Sequence, residues 1–360
     1  MTGRIAAEIR DEPAAVRATL AASREPARET ARALAADGVR RVHLIGNGTS
    51  FHSSLAAALV HRRLARAGDP LVLAWTAGEF RHYPPDLGDG DAVVGISASG
   101  EFRDVVAVAG ALKGRTPTVA IVHAPGSTLT GLADHVILAA GGPSSVPVMT
   151  KTFASTLTAA ILLVGELLGD DRAEHTVTAL AAAADHAQES IDGSAPLVEA
   201  LADDLATVEH VFVVGSGGGY VAALEGALKL KEMALIHAEG SESWEMASGA
   251  ATLIGPSSTV VALAPNGRGR QAVLDVTRHC AEWGARVIEI SPGPAIPGAD
   301  HLPLATVAAE DLASLSTLPP LALLADALAH VRGIDPDVPA WTERYRSQGL
   351  THVIGAGEPR

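Results

Sequence analysis

In the stretch "ALEGALKLKEMALIHAE", residues 223–239, Glu225, Lys229 and Glu232 stand at i, i+4 and i+7, with Glu239 following. That spacing puts the three charges on one helical face, while Leu224, Leu228 and Leu230 supply packing surface. A carboxylate and an amine facing a cleft can be tuned to move protons. The same pattern on a solvated face is an ordinary Glu/Lys pair worth about a few tenths of a kcal/mol. The residue types alone leave both readings open.

Two turns add hydroxyls. "GNGTS", residues 46–50, follows an apolar run, and its glycines let backbone N–H groups face an anion at a helix start, with Thr49 and Ser50 as further donors beside Gly48. "GISASGEFRD", residues 95–104, places Ser97, Ala98, Ser99 and Arg103 at the end of another such run, where ligands gather in open α/β sheets. Singly, each is also ordinary turn chemistry. A dinucleotide fingerprint would need a third glycine where Phe51 and, in "GSGGGY", Tyr220 stand, which disfavours a nicotinamide-dependent reductase.

The elements that must carry these residues repeat. "VHLIGNGTSFHSSLAAALVHRRL" from Val42 resembles "VFVVGSGGGYVAALEGALKLKEM" from Val211, and "GLADHVILAA" at Gly131 answers "GADHLPLA" at Gly298. Two matches at nearly one offset argue duplication. Apolar runs near 42–45, 71–75, 91–96, 118–122 and 136–139 alternate with helical stretches, as do runs near 211–214, 259–263, 286–290 and 302–304. This βαβ rhythm predicts an α/β fold of two doubly wound parallel sheets flanked by helices, flavodoxin-like in type. The expected divisions are an N-terminal helical segment at 1–38, a first domain at 39–171, a helical connector at 172–206, a second domain at 207–335 and a tail at 336–360. That tail, rich in Pro, Gly and charge, is expected to run over the surface as an extended arm and close the active site.

Composition narrows the function. A chain of 360 residues, 48% hydrophobic and 19% charged, suits soluble globular domains. The apolar stretch "FASTLTAAILLVGELL" carries hydroxyls and a glutamate and is a poor membrane span, and the charged N-terminus is not a signal peptide. The single cysteine, Cys280, excludes an internal disulfide and a cysteine metal cluster, so a cytoplasmic setting and no metal are expected. A formal net charge of -14 repels nucleic acid and anionic membrane, leaving a small molecule as the expected partner.

"ALEGALKLKEMALIHAE", "IGNGTSFH" and "ISASGE" together resemble the SIS (sugar isomerase) family, in particular tandem-SIS proteins similar to the isomerase domain of glucosamine-6-phosphate synthase and to SIS-type aminosugar-phosphate deaminases and deglycases. The similarity runs from "EIRDEP" at Glu8 to "GIDPDVP" at Gly333. It implies two tandem SIS domains, a homodimer whose sites borrow residues from the partner, a sugar phosphate as substrate and no cofactor. Carried over by motif, it implies that Thr49, Ser50, Ser97 and Ser99 hold the phosphate. It further implies that Glu232 shuttles a proton between sugar C1 and C2 beside Lys229, and that Glu225 and Glu239 support the site or touch substrate. Such an acid is expected to be buried, pointing into a crevice shared with residues 46–50 and 95–100, because a dry site raises its pKa.

The departures from the family pattern bear on chemistry. Its histidine associated with ring opening falls at Ser248, which cannot act as that acid or base near neutral pH, with His237 or His52 as conceivable replacements. Its C-terminal lysine lines up with Arg344, whose guanidinium forms no Schiff base but can clamp an anion. Ala98 stands where glutamine is usual and Phe102 where a small polar residue is. In "SSVPVMTKTF", Ser144 or Ser145 replaces glutamate and Met149 a small residue, while Thr150 and Lys151 persist. No N-terminal catalytic cysteine marks a glutaminase domain in this chain. The expectation is an isomerase, deaminase or deglycase acting by enolisation on an aminosugar phosphate such as glucosamine-6-phosphate or on a fructosamine phosphate. The alternatives are a non-catalytic sugar-phosphate-binding protein and an enzyme for an altered, non-phosphorylated ligand.

Overall fold

The computed structural model describes residues 3–307 and 309–348. The chain divides into two units: residues 1–13 with 182–339, and residues 14–181 with those from 340 onward. Helices α1 (Arg4–Arg10) and α2 (Glu12–Ala36) open the chain. The first repeat then runs β1 (Arg41–Gly46), α3 (Thr49–Leu64), β2 (Leu71–Thr76), α4 (Ala77–His82), β3 (Asp91–Ile96), α5 (Arg103–Leu112), β4 (Thr118–Val122), α6 (Thr128–Leu132), β5 (His135–Leu138) and α7 (Lys151–Leu167). Helices α8 (Asp170–Ser194) and α9 (Val198–Asp204) follow. The second repeat runs β6 (His210–Gly215), α10 (Gly218–Met233), β7 (His237–Glu242), α11 (Ser243–Ser248), β8 (Thr259–Leu263), α12 (Arg270–Glu282), β9 (Arg286–Ser291), β10 (Asp300–Pro303), α13 (Ser314–Val331) and α14 (Ala340–Ser347).

Each repeat forms a five-stranded sheet, ordered β2-β1-β3-β4-β5 and β10-β9-β8-β6-β7, with every pairing parallel. Read from the first strand of each repeat the two orders are the same, which is the duplication expressed in space. Strands β3, β4 and β8 are buried along their whole length, as strands made mostly of Val, Ile, Ala and Leu are when helices cover both faces of a parallel sheet. Each repeat also leaves its first strand through the same backbone: Gly48 at φ 51° and Gly217 at φ 57°, both with ψ -126°. A β-carbon is disfavoured there, so the turn into the helix depends on glycine.

Three expectations need correction. The second repeat contains a strand, β7, that the sequence reading missed; it lies at the sheet edge and reads "HAEGSE", with no apolar alternation to betray it. The stretch 223–239 is therefore not one helix, because α10 ends at Met233 and Leu235 turns the chain at φ 54° into the strand that carries Glu239. The tail is not wholly extended either, since residues 340–347 form α14, while 349–360 lie outside the described residues.

Helix α10 is central to its unit. It packs on α13 where Gly226 leaves room for Leu321: a β-carbon on Gly226 would lie 2.3 Å from Leu321 Cδ2. The segment Glu310–Val331 is apolar and long enough to cross a membrane by composition, but its most apolar window is wholly buried, as in a core helix. Cys280 is buried in the same unit, and burial pushes its thiol up to about 11, which leaves it unreactive at neutral pH.

Candidate functional site

The acidic face of α10 is built as the i, i+4, i+7 spacing requires, but it is buried rather than solvated. Lys229 and Glu225 are both 0% exposed, and the Lys229 ammonium lies 3.0 Å from Glu225 Oε1 and 2.6 Å from Glu232 Oε2. The surface ion-pair reading fails here, because a helix face pressed into the core has no water to screen the charges. Burial pulls the Lys229 amine down, yet the two carboxylates outweigh it and hold its pKa above the ordinary value. Glu232, expected as the buried acid, keeps about a quarter of its side chain exposed at 26%, because it stands in the last turn of the helix. One end of this chain of charges is therefore sealed and the other is reachable.

A third acid, absent from the sequence reading, belongs to the group. Glu12 opens α2, is 2% exposed, and its Oε1 has no hydrogen-bond partner among the described residues. Burial lifts its carboxyl to about 8, against the pull of the Lys229 charge and with Glu225 and Glu8 adding to the rise. In sequence it looks like any acidic residue at a helix start, so only packing distinguishes it.

The hydroxyl turns stand in the other unit. Strands β1 and β3 are neighbours from which the chain departs in opposite directions, β1 toward β2 and β3 toward β4, so the crevice of this sheet opens between their carboxyl ends. Both turns lie at those ends. Thr49 and Ser50 occupy the first turn of α3 at 5% and 6% exposure, with no side chain capping the helix start. Ser97 Oγ accepts the Gly100 N–H at 3.1 Å and Ser99 Oγ accepts the Glu101 N–H at 3.2 Å. Both hydroxyls thereby shape the turn and still keep an O–H to donate.

Ser127, Thr152 and His123, which the sequence reading did not single out, complete this edge together with Met149, Thr150 and Lys151, which it did. Ser127 Oγ lies against Gly100 and is buried without a hydrogen-bond partner among the described residues, as are Thr150 Oγ1 and Thr152 Oγ1 at the start of α7. His123 follows β4 and is joined to α7 through Nε2 and Thr152 O at 3.2 Å, while its backbone N–H donates to Ala98 O at 3.0 Å. Burial pushes its imidazole down to about 4 despite that carbonyl, with the Lys151 charge adding to the fall, so the ring is neutral at pH 7. A histidine directly after the apolar run "TVAIV" was the available signal. Lys151 is 8% exposed, and Met149 is half-buried beside it. Unpaired buried hydroxyls, an amine and an uncapped helix start are groups that receive an oxyanion.

Ala98 and Arg103 belong to the second hydroxyl turn, and the other expected site residues lie on further elements. Ser248 is exposed at the end of α11, and its Oγ donates to Trp244 O at 2.7 Å. Glu239 is exposed on β7, near Ser241 Oγ at 3.4 Å. Arg103 is 58% exposed and pairs with Asp104 at 3.1 Å, and Ala98 is half-buried in its turn. Arg344 is exposed on α14, in the unit of the hydroxyl turns rather than that of Glu232.

The second sheet does not offer an equivalent crevice. Glu310 Oε2 accepts the Arg268 N–H at 2.6 Å, and the backbone of Glu310 and Ala313 crowds Gly218 at the start of α10. Backbone of Glu310 and Ala313 thus fills the start of α10, and the Glu310 carboxylate takes up the turn after β8.

Comparison with known proteins agrees with this architecture. The SIS domain model matches residues 38–164 and again residues 204–331. The glutamine--fructose-6-phosphate aminotransferase [isomerizing] of Methanothermobacter thermautotrophicus is 34% identical over 341 residues, which are 92% of this chain and 55% of that protein. The chain thus spans about half the length of the curated relatives it matches. Among solved structures, the C-terminal domain of glucosamine-fructose-6-phosphate aminotransferase from Francisella tularensis superposes with a TM-score of 0.84 at 23% identity, covering 94% of this chain and 99% of that one. Tagatose-6-phosphate ketose/aldose isomerase from Escherichia coli does so at 0.78 and 19%, covering 94% and 96%. At these identities the superpositions speak for the fold.

Proposed function

The chain belongs to the SIS domain family, and from that premise we propose that it is a sugar-phosphate isomerase or deaminase working by enolisation, on an aminosugar phosphate such as glucosamine-6-phosphate or on a fructosamine phosphate. The observation that carries the reading is the charge chain on α10: a fully buried amine held by two acids, of which only Glu232 retains exposed surface. Enolisation needs one carboxylate that takes the proton from one sugar carbon and returns it to its neighbour. Glu232 is that base in this reading. Lys229, 2.6 Å away, keeps it ionised and oriented, and Glu225 holds Lys229. Thr49, Ser50, Ser97 and Ser99 hold the phosphate, with Gly48 shaping the turn and Lys151 supplying charge. The printed activity of the 34% identical relative on fructose-6-phosphate supports the substrate class.

Ser248 receives no ring-opening role, because its hydroxyl is engaged with the Trp244 carbonyl. Arg344 receives no imine role, because a guanidinium keeps its protons. Carbon–proton exchange in deuterated buffer tests the proposal, read at C2 of glucose 6-phosphate and glucosamine 6-phosphate and at C1 of fructose 6-phosphate. Exchange with at least one probe, lost in Glu232→Gln, is expected; no exchange with any of them refutes it. The engaged Ser248 hydroxyl also favours a second reading, a binding protein without turnover. Saturable binding of a probe with no exchange and no product would establish that one.

A further inference from the structure

We infer that Glu12 is a positioning residue for Glu232: as a neutral buried acid it lets Lys229 divide its charge between Glu225 and Glu232, and on ionising it would draw the ammonium away from Glu232. This rests on the reading of Glu232 as the base. Two geometric observations and the electrostatics of the group stand behind it. Glu12 is 2% exposed at the start of α2, and one carboxyl oxygen has no hydrogen-bond partner among the described residues. The charged groups acting on it are Lys229 and Glu225 from α10 and Glu8 from α1. Lys229 is already committed, at 3.0 Å and 2.6 Å, to two carboxylates.

Charge balance explains why the proton matters. With Glu225 and Glu232 ionised, the pair of acids already exceeds the single ammonium by one negative charge. A third carboxylate in the same dry volume competes for that ammonium, and Glu232, with solvent at hand, is the partner that can be released at least cost. The carboxyl is instead held neutral up to about pH 8, first by burial. Loss of this proton separates Lys229 from Glu232 and leaves the base without its orienting partner.

The test compares wild type with Glu12→Gln, which keeps the shape of the neutral acid. Wild-type C2 exchange with the responsive sugar phosphate is expected to fall about tenfold from pH 7 to pH 9, as the neutral fraction of Glu12 falls, and Glu12→Gln is expected to lack that bend. An identical bend in both proteins overturns the inference while leaving Glu232 as the base. Two measurements read Glu12 without turnover. Relative to Glu12→Gln, the wild-type unfolding equilibrium constant is expected to rise about tenfold per pH unit between the ordinary value of 4.5 and about 8, because folding retains a proton that the unfolded chain loses. Parallel curves overturn the inference. In protein carrying 13C-labelled glutamate carboxyls, the Glu232 resonance, assigned with Glu232→Gln, is expected to show a second step near pH 8 that Glu12→Gln removes. If no sugar phosphate exchanges at all, the reading of Glu232 falls, and this resonance alone decides whether Glu12 governs it; an unmoved resonance overturns the coupling.

Discussion

Replacing Lys229 by methionine preserves the length of the side chain and the packing of α10 but removes the ammonium that lies 3.0 Å from Glu225. At 3.0 Å and an effective dielectric of about 20, the lost attraction is about 5 kcal/mol, in line with the roughly 3–5 kcal/mol measured when one partner of a buried pair is deleted. Glu225, at 0% exposure, cannot recover hydration, whereas Glu232 at 26% can, so nearly all of the penalty comes from Glu225. With a urea slope of about 2 kcal/mol/M, the midpoint for the unit carrying α10 is expected to drop by about 2 M at pH 7. The penalty must also depend on pH. In the variant, burial raises the Glu225 carboxyl with no ammonium to oppose it, so the native state takes up a proton that the unfolded chain gives away. Stability of the variant then falls as pH rises above the unfolded carboxylate value of about 4.3, and its deficit is smaller at pH 5 than at pH 8. Changing Glu225 to methionine in the same molecule is expected to restore most of the loss, because an apolar pair of similar volume needs no hydration. Urea titrations of the two single variants and the double variant at pH 5, 7 and 8 provide the measurement. A loss below about 1 kcal/mol at pH 7, or one that is the same at pH 5 and 8, would refute the account of a sealed ion pair.

The Glu232→Gln variant is expected to lose C2 exchange while its unfolding free energy changes by no more than about 1 kcal/mol, since its side chain is partly solvated; nuclear magnetic resonance of the sugar and a denaturation curve report the two effects separately. Thr49→Ala and Ser97→Ala should each weaken sugar-phosphate binding by about 1.5–3 kcal/mol, the value of a hydrogen bond to a charged group, in calorimetric titration with glucosamine 6-phosphate, with a smaller effect on the desphospho sugar. His123, held neutral with its pKa at about 4, should make the protein lose stability as pH falls from the unfolded value of 6.5 toward 4, by about 3 kcal/mol in all; His123→Gln should flatten that part of the melting-temperature profile. The Glu12→Gln variant joins this set through the loss of the alkaline bend described above.

What the order of residues determined by itself was whatever local chemistry enforces. Five apolar runs per half would have been complete had β7 been apolar; the four found in the second half agree with the observed strands, and β6, β8 and β9 were legible because a strand covered on both faces must be apolar along its length. The glycine turns at 46–48 and 215–217 announced the duplicated exit from the first strand, because few other residues take that backbone. The i, i+4, i+7 spacing placed Glu225, Lys229 and Glu232 on one face.

Tertiary structure decided what each of those residues experiences. Periodicity names a face but not its depth, so only the packing of α10 on α13 and β7 made Glu225 and Lys229 a sealed pair and left Glu232 at the rim. The edge strand "HAEGSE" has no signature of its own, since backbone pairing with β6 and not side-chain burial holds it in place. Glu12 and the protonation state of His123 were unreadable for the same reason: a carboxyl at a helix start and an imidazole after a strand are commonplace until distant segments close around them. Burial, which sets their protonation, is a property of the fold and not of the neighbours in the chain.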